Sequence, residues 1–204
     1  MGVWDFVAGI LVGILLACVS FVLQTSQISA IRGNLFGGVA NSTVRRHPVQ
    51  QRFLHGAGQQ IHVMKMAGYL FFGTIVGVEN QIRALLDEAF KVQPIRFLVL
   101  DMFNVDGVDF SAAEAFNRIK RILNTKNVKL VICGMTMDTE VGKSLRNVGL
   151  FDEESVHFFV SLNSALEYCE NELLKSFYHH HGHEQGSEAR PNFLGRVPNP
   201  LLTD

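Results

Sequence analysis

The feature that most constrains this chain is an eighteen-residue apolar run, Phe6 to Leu23, in which Ser20 carries the only polar side chain. As a helix this run would be roughly 27 Å long, close to the ~30 Å hydrocarbon core of a bilayer. Trp4 lies just ahead of it, where an aromatic ring suits the membrane interface. A buried core helix and a signal peptide are the alternatives, but a signal peptide begins with a basic region and here only Asp5 is charged. The sequence therefore predicts a transmembrane helix with its flanks over residues 1–32.

Positive charge lies on one side of this helix only. No Lys or Arg precedes the run, and four arginines follow it: Arg32, Arg45, Arg46 and Arg52. By the positive-inside rule the C-terminal part of the chain faces the cytosol. The protein is therefore expected to be an integral membrane protein, with the plasma membrane, the vacuole and other organelles all left open.

Small residues recur along the helix. Gly9, Gly13 and Ala17 are spaced four apart and would form one smooth face, which allows a second helix to approach closely. Chance is the alternative, because glycine is common in membrane helices. The spacing predicts a helix-packing face whose partners are other membrane helices.

Charge balance and cysteine content exclude some classes of function. The chain has 204 residues with 18 Lys and Arg against 19 Asp and Glu, so it has no basic stripe of the kind that binds nucleic acid. Its three cysteines are too few and too apolar in their surroundings for a disulfide scaffold, which favours a reducing compartment. Nucleic acid is excluded as an expected partner.

Residues 33–57 are rich in Gly, Asn, Gln and Arg and lack a sustained period, which indicates a linker. Residues 58–177 alternate between strand and helix patterns, which predicts an α/β domain. The expected strands are 61–66, 69–72, 96–101, 129–133 and 157–160, and the expected helices cover 75–89 and begin at Ser111, at Asp138 or Thr139, and at Ser161.

Motifs of catalysis are missing from the sequence. It contains no dinucleotide or P-loop glycine pattern, no Gly-x-Ser-x-Gly elbow and no Cys/His pair at zinc spacing. Asp101, Asp106 and Asp109 cluster where active sites of α/β folds often lie, although helix capping and solvation also explain them. Ser111, three residues before Glu114, is expected to be a helix N-cap rather than a nucleophile. We predict no enzyme activity and no cofactor.

The C-terminal segment, residues 178–204, is polar, rich in histidine and contains proline, which predicts a flexible tail. Its histidines are weak candidates for a metal site: His179, His180, His181 and His183. We expect no bound metal there.

Five stretches together resemble one protein family. Asp5 to Ile14, continuing to Ile31–Gly33, resembles the last transmembrane helix of SulP-type sulfate permeases. Ile61–Thr74 resembles the opening strands of the STAS domain of those permeases, and Phe97–Asp101 with Val108–Ala112 resembles its next strand, loop and helix start. The resemblance covers about residues 4–176, and the wording of residues 109–116 is most like fungal members. It implies a STAS-like mixed sheet with flanking helices.

The resemblance departs from the bacterial anti-sigma antagonists at one position. Their loop reads Asp-Ser-Ser-Gly, with the first serine phosphorylated, and Phe110 stands there in this chain. Ser111 matches the second serine. We therefore predict that the bacterial type of phosphorylation switch is absent, and that Asp101, Asp109, Phe110 and Ser111 form a regulatory, partner-contact loop.

By resemblance, the chain is expected to be the final membrane span and cytosolic regulatory STAS domain of a secondary transporter for sulfate-like anions. A homodimer is the expected assembly, and the rest of a polytopic transporter, or separate partner helices, would complete the membrane part. The alternative is a stand-alone, membrane-tethered STAS protein that acts as a protein-binding switch, and nucleotide binding stays open.

Overall fold

The computed structural model describes residues 2–26, 30–36, 41–92, 94–151 and 155–182. Six helices occur in these ranges: α1 (Gly2–Ser26), α2 (Pro48–Ala57), α3 (Phe72–Val92), α4 (Phe110–Thr125), α5 (Glu140–Asn147) and α6 (Leu162–Gly182). Five strands accompany them: β1 (Ile31–Phe36), β2 (Ile61–Leu70), β3 (Phe97–Val108), β4 (Lys129–Cys133) and β5 (Val156–Phe159). A short 3-10 turn, Gly58–Gln60, joins α2 to β2.

The strands form a single mixed sheet in the order β1-β2-β3-β4-β5. β1 is antiparallel to β2, and the other neighbouring strands are parallel. Parallel neighbours need long crossovers, which α3, α4 and α5 supply. The expected α/β class with a mixed sheet is confirmed.

Alternation along the strands divides the core between the two faces of the sheet. Met64, Leu98 and Ile132 pack on one side in the same cluster as apolar residues of α3, α4 and α5. Val63, Val99 and Val131, one residue away in each strand, pack on the other side with α2 and α6. The sheet is thus covered on both faces, which explains why its central strands read as continuous apolar runs.

Helix α1 stands apart from this core. Its apolar side chains are exposed over the whole stretch Phe6–Gln24, and this is the one helix in the described ranges long and apolar enough to cross a membrane. A helix that is apolar on all sides and touches no protein core needs an apolar solvent, which a bilayer provides. The helix predicted over this stretch is present.

Residues 33–57, which we expected to be a linker, contain regular structure instead. β1 pairs with β2 along the edge of the sheet, Leu35 opposite Val63. α2 packs on α6, and the rings of Phe53 and Phe177 lie 4.4 Å apart between their centroids. Backbone hydrogen bonds hold an edge strand whatever its side chains, so a Gly- and Asn-containing strand leaves little periodic signal.

Other element boundaries also differ from the prediction. Residues 69–72 are no separate strand: β2 continues to Leu70 through Gly68, which has a φ of +80° beside a shift in register, and α3 follows at Phe72. α6 continues through His179–His181 to Gly182, so the beginning of the expected flexible tail is helical. The rest of that tail, including His183, lies outside the described residues.

Candidate functional site

The predicted contact loop lies where β2 and β3 end side by side. The two strands are parallel, and their last residues are partners in register, Leu70 opposite Val108. The backbone N–H of Asp109 donates to the carbonyl of Leu70 at 2.9 Å and joins the two chain segments. The first turns of α3 and α4 therefore begin next to each other at this edge.

Asp109 connects both helix starts through its carboxylate. Its Oδ1 accepts the backbone N–H of Ala112 at 2.6 Å, and its Oδ2 accepts that of Phe72 at 3.4 Å. A helix N-terminus carries a partial positive charge and unpaired N–H groups, so one carboxylate between two such ends stabilises both. Asp109 is a central structural element of this edge.

Ser111 is not the N-cap that the sequence analysis predicted. The cap is Asp109, whose φ of −76° and ψ of 167° are extended, and α4 already begins at Phe110. Ser111 is therefore the second helical residue, and its side chain is exposed. The three-residue spacing between Ser111 and Glu114 matches a capping box but does not form one here. An aspartate directly after a strand was the better sequence signal for the N-cap, because aspartate is at least as good a cap as serine.

Three aromatic side chains surround the capped edge, and we call Tyr69, Phe72 and Phe110 the aromatic edge. Their exposed fractions are 57%, 66% and 71%. The Tyr69 ring lies over Gly107, where an added Cβ would be 2.6 Å from the ring carbon Cε2. Exposed aromatic groups on a capped, hydrogen-bonded frame are typical of a contact surface for another protein.

Asp101 does not lie with the other three predicted loop residues. It is buried within β3, opposite Cys133, and its Oδ1 accepts the backbone N–H of Phe103 at 3.1 Å. Asp109 follows eight residues later, and because this part of β3 bulges and pairs with only Lys65–Leu70 of β2, the two aspartates are roughly 20 Å apart along the sheet. Burial and the Asp101 charge raise the pKa of the Cys133 thiol to about 12. Asp106 is exposed on β3.

Two candidates for chemistry from the sequence are the Ser111 hydroxyl and a metal site. Within the described residues, the Ser111 hydroxyl has no hydrogen-bond partner. The described side chains also include no group of three His, Cys, Asp or Glu that could hold a metal ion. The side chains of His179–His181 are not among those described, so the weak metal candidates stay a prediction.

The packing face of α1 is free in the structure. A Cβ added at Gly9 or Gly13 would meet nothing within 4 Å, so both positions present an open helix surface. A partner helix for Gly9, Gly13 and Ala17 stays a prediction.

Comparison with known proteins agrees with the resemblance. The STAS domain family matches residues 57–165. The vacuolar basic amino acid transporter VSB1 of Saccharomyces cerevisiae is 47% identical over 179 residues, which make up 85% of this chain and 17% of that protein. The probable sulfate transporter 3.5 of Arabidopsis thaliana is 23% identical over 79% of this chain and 24% of its own length. The chain thus spans a quarter or less of these relatives.

A solved structure shows the same fold. The murine solute carrier 26 family member A9 anion transporter, in its inward-facing state, superposes with a TM-score of 0.56 over 81% of this chain and 26% of that chain, at 14% identity. A second structure of SLC26A9 gives a TM-score of 0.51 over 85% of this chain and 29% of that chain, at 17% identity. At these identities the likeness concerns the fold alone.

Proposed function

Because the chain belongs to the STAS-domain family, in the form found with SulP-type transporters, we propose that it is the last membrane span and cytosolic regulatory domain of a secondary transporter. One observation supports this proposal most strongly: an apolar helix, α1, and a STAS domain occur together in the chain. Over 85% of its own length the chain is 47% identical to a transporter. The relatives are transporters, so the domain assists transport and does not catalyse a reaction.

Transport itself requires more helices than this segment supplies. Transporter sites are built from discontinuous helices of several spans near the middle of the bilayer. The described residues contain one candidate span, and the relatives are about four to six times longer than the matched region. The open face at Gly9 and Gly13 then serves to pack α1 against the remaining spans of the transporter.

Two substrate classes are candidates for the whole transporter. The resemblance to sulfate permeases and the 23% identical plant protein support a sulfate-like anion. The 47% identity to a vacuolar basic amino acid transporter supports a cationic amino acid and a vacuolar membrane. We favour the second class, because the yeast transporter is 47% identical over 85% of this chain, whereas the plant protein is 23% identical over 79%.

The regulatory role belongs to the contact loop. Asp109, Phe110 and Ser111 combine a rigid cap with an exposed ring and an exposed hydroxyl. We propose that this loop contacts a second protein surface, as the aromatic edge suggests. Asp101 supports the same strand from within the core and makes no such contact.

The size of the native polypeptide is the first test. An antibody against residues 58–177 would be used to blot carbonate-washed membranes of the source cell. A band several times heavier than 22.7 kDa supports the transporter. A membrane-bound band near 22.7 kDa would overturn it and favour the stand-alone tethered switch.

Uptake then separates the substrates and tests the loop. Vesicles containing the native transporter would be assayed with radiolabelled arginine and sulfate, each in the absence of the other. Phe110→Ala should alter transport, or the co-purification of the protein that contacts the loop. Phe103→Ala is the control and should alter neither, because it removes a ring that is 77% exposed but lies outside the aromatic edge. Equal effects of the two substitutions would contradict a specific contact at Phe110.

A further inference from the structure

A cavity of about 720 Å³ lies away from the contact loop, between α2, the segment that precedes it and α6. We call residues 41–46 the strap and this space the arginine cavity. Its lining contains three arginines, one histidine and one carboxylate: Arg45, Arg46, Arg52, His55 and Glu170. None of these residues belongs to the contact loop, and the transport proposal uses the three arginines only to orient the chain by the positive-inside rule.

One wall of the arginine cavity is a face of α2. Pro48, Gln51, Arg52 and His55 line it, and their spacing of three, four and seven residues places them on one side of the helix. Leu54 and Ala57 of the same helix are buried and pack into the core, and Leu54 also borders the cavity. The packing of α2 therefore points its polar and basic side at the cavity.

The opposite wall is the strap, which α6 holds in place. The Glu170 carboxylate, buried to 6% exposure, accepts the backbone N–H and the hydroxyl of Ser42 at 2.7 and 2.6 Å. It also accepts Nε of Arg46 at 2.9 Å. Thr43 donates its backbone N–H to Asn163 Oδ1 at 2.8 Å. These hydrogen bonds fix the position of the wall, so the cavity is preorganised for a ligand.

Charge in the cavity is unbalanced. Glu170 is the one carboxylate of the lining, and its oxygens are taken by Ser42 and Arg46. Within the described residues, the exposed guanidinium groups of Arg45 and Arg52 have neither an ion pair nor a hydrogen-bond partner. The two free guanidinium groups, with the imidazole of His55 beside them, give the cavity a positive potential and leave many donors unused.

We propose that the arginine cavity binds a multiply phosphorylated polyol, either as a phosphoinositide headgroup or as a free inositol phosphate. Guanidinium groups pair with phosphate oxygens in a bidentate manner, which suits Arg45 and Arg52. The side chains of Asn41, Ser42 and Gln51 supply hydrogen-bonding groups for hydroxyls. The volume is within the range of small-ligand pockets.

The lining argues against a nucleotide. Bases are usually held by stacking on aromatic rings, and the lining of this cavity has no Phe, Tyr or Trp. A membrane lipid is a natural source of the phosphates, because basic clusters that follow a transmembrane helix on its cytosolic side attract anionic headgroups. The assignment holds whichever substrate the transporter carries.

The test uses the full chain in phosphatidylcholine nanodiscs and fluorescent inositol 1,4,5-trisphosphate as the probe. We expect saturable binding that weakens as salt is added. The double variant R45Q/R52Q should lose roughly tenfold or more in affinity, because it removes both free guanidinium groups. Arg121→Gln, at an exposed arginine on α4, is the matched control and should bind as the original chain does. Far-UV circular dichroism checks that the variants fold.

A second arm separates the two sources. Phosphatidylinositol 4,5-bisphosphate in the same nanodisc should compete with the probe if a lipid headgroup reaches the cavity, whereas phosphatidylserine of equal charge should not. Probe binding without lipid competition supports the free inositol phosphate. Absence of saturable probe binding to the original chain, or equal affinity in R45Q/R52Q and the original chain, would overturn the proposal.

Discussion

Acid should destabilise this domain through one buried histidine. His62 is in β2, between Phe36 of β1 and Leu98 of β3, and only 2% of it is exposed. Burial lowers the pKa of His62 to about 4 from an ordinary value near 6.5, because the protonated ring loses its hydration. The folded protein therefore holds this ring in its neutral form.

The sign of the pH effect follows from where the proton binds. Below about pH 6.5 the unfolded chain takes up a proton at His62, while the folded chain does not until about pH 4. Folding stability is therefore intact above pH 6.5 and falls between pH 6.5 and 4. Since one pKa unit is worth about 1.4 kcal/mol, the loss due to this residue amounts to about 3 kcal/mol.

The variant His62→Gln isolates this contribution. Glutamine keeps hydrogen-bonding groups but does not titrate. We would measure the free energy of unfolding by urea titration in a nonionic detergent at pH 7, 6, 5 and 4, following ellipticity at 222 nm. The difference between the original chain and the variant should change by about 3 kcal/mol over this range, in favour of the variant at low pH.

Two other residues control the measurement. His157 also has a pKa lowered by burial and by Lys129, and it is present in both proteins, so its contribution cancels. His55→Gln, at an exposed histidine, controls for the chemical change from histidine to glutamine outside the core. Parallel profiles for the original chain and His62→Gln would refute the argument that burial of His62 makes the domain sensitive to acid.

Further predictions concern the capped edge, a glycine and the buried thiols. Asp109→Ala should lower the free energy of unfolding by about 1 kcal/mol, because it removes the cap of α4. Ser111→Ala should change this free energy by less than about 0.5 kcal/mol. Equal losses of the two variants in urea titrations would contradict the capping assignment. Gly134→Ala should cost about 2 kcal/mol or more, because Gly134 has a φ of +85° and an added Cβ would lie 2.6 Å from the β3 backbone; a urea-measured loss below about 1 kcal/mol would argue against this strain. Burial raises the pKa of Cys133 and of Cys169. Iodoacetamide at pH 8 should therefore modify these thiols only after unfolding, which peptide mass spectrometry would detect. Alkylation in native buffer at the rate of a free thiol would contradict their burial.

Local patterns were sufficient for much of the fold. The apolar runs at 97–101 and 129–133 are strands because both of their faces are buried, and Thr139 caps α5 where the sequence placed a helix start. The apolar helix over Phe6–Leu23 is likewise a property of neighbouring residues, because its length and apolarity are read directly from the sequence. Such features depend on residues close in sequence, so the sequence displays them directly.

Other features depend on residues that are far apart in sequence. Asp109, and not Ser111, caps α4 because β3 ends directly before Asp109. Asp101 lies in the buried part of β3, which places it away from the contact loop. Asp109 and Phe110 lie at one edge beside the exposed rings of Tyr69 and Phe72, and the contact role of this loop stays a prediction. The aromatic edge itself lies where β2 and β3 end, and the hydrogen bond that joins Phe72 to Asp109 there links residues 37 positions apart in sequence.

Local sequence patterns were enough to predict an apolar helix long enough to cross a membrane, followed by the alternating strands and helices of a STAS domain, because hydrophobic periodicity and charge act between near neighbours. The folded chain was needed to show that residues 33–57 contain an edge strand and a helix. It also shows that Glu170 holds Ser42, 128 residues away, in the wall of a basic cavity. No local period marks such a contact, because its free energy depends on burial and geometry that the folded chain creates.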